Sequence, residues 1–93
     1  MTQEMLNIDT RGNIYFDCRN HAEKVDVCIM ASTLCNVLIV ACAEHGISPK
    51  EEADGHIVFD IIEAPGSLID AFKAVHKVFV EIEDQFPFYM KVY

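Results

Sequence analysis

The sequence predicts an α+β domain of two layers: a small, mostly antiparallel sheet carrying a long buried helix and a second, amphipathic helix. Three observations predict it. Short apolar runs with a period of two recur at Met5–Ile8, Asn13–Arg19 and His56–Glu63, each bounded by turn residues. The stretch from Val25 to His45 is apolar on nearly every side, as in a helix covered all round. Leu68, Phe72, Val75, Phe79, Ile82 and Phe86 recur at spacings of three and four, which makes one helical stripe.

In chain order, Leu6 and Ile8 match Ile14, Phe16 and Cys18 across Asp9-Thr10-Arg11-Gly12, whose turn chemistry makes the pair a β-hairpin. Asn20–Lys24 is a polar connector. The first helix begins near Val25 or Asp26, with Asp26 the candidate N-cap, and ends at His45-Gly46, where glycine suits the left-handed residue that closes a helix. Ile47–Gly55 reads as an acidic loop, and the third strand follows with Ile57, Phe59 and Ile61 on one face. Ala64-Pro65-Gly66 breaks the pattern, and Ser67 with Asp70 opens the second helix like a capping box. Pro87 stops that helix, and Phe88–Tyr93 is a short final strand. The order is therefore β-β-α-β-α-β, in one domain spanning residues 1–93 with no internal repeat.

Seven Lys and Arg stand against fifteen Asp and Glu, a formal charge of −8 with no basic cluster. That lacks the electrostatic footprint of a nucleic-acid binder and suits a basic partner. No basic stretch precedes an apolar run near Met1, so no secretory signal is expected and the location expected is cytoplasmic. The longest unbroken apolar run, Val37–Ala43, is far short of a membrane span. Cys28, Cys35 and Cys42 are seven residues apart; two helical turns separate neighbours by about 10 Å, beyond disulfide reach, so reduced thiols are expected. The first helix has more apolar surface than one small sheet and one helix can cover, which points to a homodimer.

The chemistry concentrates between Asn20 and Asn36. His21 lies seven residues before Cys28, where the polar connector becomes helix. A cysteine in a first turn meets unbonded backbone N–H groups and the positive end of the helix dipole, which stabilise a thiolate and can hold an oxyanion. His21 is within reach as its base. Cysteine also serves as a small apolar filler, which is the reading for Cys35 and Cys42. Asp26 would fix the helix start while its charge opposes the thiolate. Cys18, His21 and Cys28, with His45 or His56, could be drawn as a zinc set. With no Cys-x2-Cys pair, and with Cys18 facing inward, no metal is expected. No phosphate loop, Ser-His-Asp order or carboxylate pair is present, so no cofactor is expected either.

Asn20-His21-Ala22, then Val25-Asp26-Val27-Cys28, then Ser32 four residues on, resembles the ribosomal-processing cysteine proteases (Prp) of bacteria and phages. Their mark is Gly-His-Ala, a loop, and Asp-x-x-Cys with a later serine at the start of a long helix. The closing Gln85–Val92 segment is similar to the family's Tyr-Pro-x-Tyr ending. The likeness covers nearly the whole chain, with three departures. Asn20 stands for the glycine, Val25 stands where the aspartate is expected, and the His21–Cys28 loop is short. The resemblance implies a homodimeric cysteine endopeptidase with Cys28 as nucleophile and His21 as base, supported by Asn20, Ala22, Asp26 and Ser32. It also implies a peptide or protein substrate, the N-terminal extension of a large-subunit ribosomal protein or a phage protein. The alternative is a non-catalytic dimeric interaction module of the same fold.

Overall fold

A computed structural model describes residues 1–93 as β1 (Thr2–Ile8), β2 (Ile14–Arg19), α1 (Val25–Ala43), β3 (Glu51–Ala53), β4 (His56–Ile61), α2 (Gly66–Gln85) and β5 (Met90–Val92). The strands form one sheet in the order β3-β4-β2-β1-β5. Every neighbouring pair is antiparallel except β1 and β5. Ile14, Phe16 and Cys18 of β2 and Ile57, Phe59 and Ile61 of β4 point to one face, as their period of two requires, and both helices pack there. This is the two-layer α+β fold expected, with one short strand more.

The β1–β2 turn closes on the Asp9 carboxylate, which accepts bonds from the backbone N–H of Arg11 and Asn13 and from the Asn13 amide. Those bonds hold the Asp9 carboxyl below its usual range. The added strand, β3, lies in the acidic loop. Asp54-Gly55 turns it back onto β4, with Gly55 at φ +76°.

Phe16 sits among Phe59, Phe72 and Phe79, with ring centroids 5.7–6.4 Å away, and Phe59 meets Phe72 edge-on at 5.5 Å. The α2 stripe supplies two of these rings, and its Leu68, Val75 and Ile82 are buried as its periodicity predicts. Pro65 occupies the α2 N-cap, and Ser67 lies inside the helix without capping it.

α1 departs more from expectation. Lys24 is its N-cap, with no side-chain cap, and Asp26 lies in the first turn. Gly46 at φ +70° and the Ile47 N–H on the Cys42 carbonyl close its other end in a Schellman turn. Only Val27, Ala31, Leu38 and Cys42 are fully buried. Val25, Ile29 and Val40 are 60–69% exposed and Val37 is 49% exposed, so this chain alone covers one stripe of the helix and leaves the opposite one bare.

One buried carboxyl group was not expected. Glu4 on β1 is 0% exposed, and His76 of α2 lies 2.9 Å from both its carboxyl oxygens. Burial raises the Glu4 carboxyl above its usual range, and His76 offsets part of that rise. The folded chain thus holds this proton more tightly than the unfolded chain. The Glu4 contribution to stability is greatest below the ordinary carboxyl value of 4.5 and declines as pH rises above it. Glu4→Gln should therefore flatten that decline in thermal melts from acid to neutral pH. His76→Ala leaves the buried carboxyl group without its hydrogen-bond partner and should lower stability by about 1–3 kcal/mol. Unchanged melting in both variants would contradict the pairing.

Candidate active site

The site is built where β2 runs out beside the β3–β4 hairpin. Asn20 follows β2 at φ +70°, a left-handed conformation that asparagine tolerates better than most side chains. This is the physical reason asparagine can stand where a glycine would. The Asn20 N–H donates to the Gly55 carbonyl at 2.7 Å, and its own carbonyl accepts from the Thr2 hydroxyl at 3.0 Å. Ala22 then packs against the core, and the N-terminal ammonium pairs with Glu23 at 2.7 Å. The connector is tied at both ends.

Between those ties His21 lies over the start of α1. Its Nδ1 is 3.3 Å from the Cys28 sulfur, and its Nε2 is 3.3 Å from Oδ1 of Asp54 at the hairpin tip. Gly55 lies against the ring, where an added Cβ would come within 2.9 Å of Nε2. The Cys28 N–H donates to the Lys24 carbonyl at 3.1 Å, so it is spent inside the helix. The donors left for an oxyanion are those of the residues before it.

A cleft of about 200 Å³ opens beside this pair. Cys28, Ala31, Ser32 and Cys35 line its helix side, and residues 52–57 line its hairpin side. The wall nearest the sulfur is small and polar, which leaves room for a peptide backbone. β3 forms one edge of the sheet, and all three of its residues are exposed.

His21, Cys28, Asn20 and Ser32 thus share one cleft. Ala22 and Asp26 do not line it: Ala22 supports the connector, and Asp26 projects, exposed, from the first turn of α1. Asp54 and Gly55 were missed, although Asp-Gly between two strands is a strong hairpin signal. The other thiols differ in kind from Cys28. A hydrogen bond shared with Cys35, then burial, pushes the Cys18 thiol far up, and burial pushes Cys42 to about 11. Cys35 is half-buried on the cleft wall, where the sequence suggested a core filler. No three His, Cys, Asp or Glu side chains are grouped as metal ligands, and Cys18, His21 and Cys28 do not form such a set.

No protein-family model matches the chain, and no curated protein does. Among solved structures, the chain is similar to the essential ribosomal processing protease Prp from S. aureus, crystallised in complex with a covalently linked product peptide. The TM-score is 0.78 over 99% of this chain and 97% of that one, at 16% sequence identity. The fold is that of Prp.

These environments rank the thiols. A neutral alkylating reagent at mildly acidic pH should label Cys28 first and Cys35 more slowly, leaving Cys18 and Cys42 silent until the chain unfolds. Site-resolved mass spectrometry reads the order. Cys28 labelling no faster than Cys42 would mean that the histidine does not act on the sulfur.

Proposed function

We propose that the protein is a cysteine endopeptidase that removes a short N-terminal extension from a ribosomal large-subunit protein or a phage protein. The observation that carries this is the 3.3 Å approach of His21 Nδ1 to the Cys28 sulfur in the first turn of α1, beside an open cleft. The fold match and that protein's product peptide favour a peptide substrate. His21 takes the thiol proton on Nδ1, and the sulfur attacks the carbonyl carbon of the scissile peptide. The amine leaves with that proton, giving a thioester. Water hydrolyses the thioester with His21 again as base. Ser32, one turn beyond Cys28 on the cleft wall, supports the substrate side of this chemistry.

An extended peptide fits the open β3 edge, where unpaired main-chain groups can accept one more strand. Glu52 and Asp54 on that side, with the net charge of −8, suit a basic peptide. The bare stripe of α1, Val25, Ile29, Val37 and Val40, suits a second copy of the chain, and the reduced thiols suit the cytoplasm.

Mixed with N-terminally extended ribosomal or phage structural proteins, the protein should make one defined cut. Cys28→Ala and His21→Ala should each abolish it while leaving the fold intact. Equal cleavage by Cys28→Ala would end the cysteine-protease reading, and no cut by the wild type would favour the interaction module. Light scattering at micromolar concentration should give the mass of two chains, and a single-chain mass would remove the dimer.

A further inference from the structure

We infer that Asp54 is the positioning residue of the His21 ring: its carboxylate, 3.3 Å from Nε2 at the hairpin tip, favours the proton on that nitrogen, so that the Nδ1 lone pair is presented to the Cys28 sulfur. This rests on the protease reading for its purpose but not for its geometry. The ring is gripped at both nitrogens, by sulfur at 3.3 Å and by Oδ1 at 3.3 Å. A neutral imidazole carries one proton, and a carboxylate can only accept. The carboxylate facing Nε2 therefore favours the proton there, which leaves Nδ1 as the acceptor. When the thiol proton moves to Nδ1, the imidazolium lies between a thiolate and a carboxylate, and both anions stabilise it.

The hairpin is placed to do this by more than the ion pair. The Asn20 N–H on the Gly55 carbonyl at 2.7 Å fastens the connector to the residue next to Asp54. Gly55, at φ +76° and without a Cβ, lets the ring come close enough to meet the carboxylate. No carboxylate beside Cys28 in the sequence supplies this contact: Val25 occupies one candidate place and Asp26 projects, exposed, from the first turn. The charged and titratable neighbours of the site are Cys28 and Cys35 on α1, Cys18 on β2, and Glu52, Asp54 and His56 on the hairpin. The N-terminal ammonium lies 3.4 Å from the His21 carbonyl.

The Asp54 side chain is 96% exposed, so its effect in the free protein is small, and it grows when a bound peptide shields it from water. Asp54→Ala should slow Cys28 alkylation near neutral pH by about threefold and move the rising limb of its pH profile. Asp54→Glu, which keeps a carboxylate at the hairpin tip, should recover most of the rate. Asp60→Asn removes one charge elsewhere on β4 and should leave the profile unchanged. All three variants should melt with wild type, since neither side chain is in the core. An Asp54→Ala profile that overlays wild type overturns the inference, as does a loss equal in Asp54→Glu and Asp54→Ala. The alkylation arm needs no substrate. An Asp54-dependent profile without any peptide cut would leave this assignment standing and remove the protease reading instead.

Discussion

The site depends on the register of one ladder. β2 pairs with β4 so that Phe16 faces Phe59, Cys18 faces Ile57 and Arg19 faces His56. One step beyond that pairing, the Asn20 N–H meets the Gly55 carbonyl, and the hairpin tip comes to rest against His21. A slip of one residue would turn either Phe16 or Phe59 out of the core, so burial of the aromatic cluster and assembly of the site select the same register. The hydrophobic effect, acting on residues buried in the core, thereby sets the distance between an imidazole and a thiol.

The helix that carries the thiol is arranged along the same lines. α1 buries a narrow stripe on the sheet, and the neighbouring stripe, Cys28, Ala31, Ser32 and Cys35, forms the wall of the cleft. Small side chains are needed there because the hairpin stands opposite. The remaining stripe is large and apolar, and it is bare in the single chain. One helix therefore serves core, cleft and outer surface, which is why its hydrophobicity shows so little periodicity in the sequence.

The elements with a clear period were legible. The α2 stripe and the alternation of β2 and β4 survive in the structure, and the short His21–Cys28 connector places the two side chains in contact. What was not legible depends on contacts distant in sequence. Glu4 and His76 are 72 residues apart, and nothing local marks either as buried. β3 is only three residues long, too short to show alternation, so Asp54 was hidden in an apparent loop although the Asp-Gly turn was there to be read. The extent of α1 was visible, but which of its faces the sheet would take was not, because nearly every face is apolar.

The central claim is that Cys28, prepared by His21, is the sulfur that bonds to a peptide carbonyl group. The most direct measurement is peptide mapping by mass spectrometry after exposure to short basic peptides carrying a C-terminal chloromethyl ketone. The account predicts one thioether adduct per chain, on Cys28, slowed strongly in His21→Ala and absent from Cys18, Cys35 and Cys42. Adducts spread over several thiols, or a Cys28 adduct formed equally fast without His21, would contradict it.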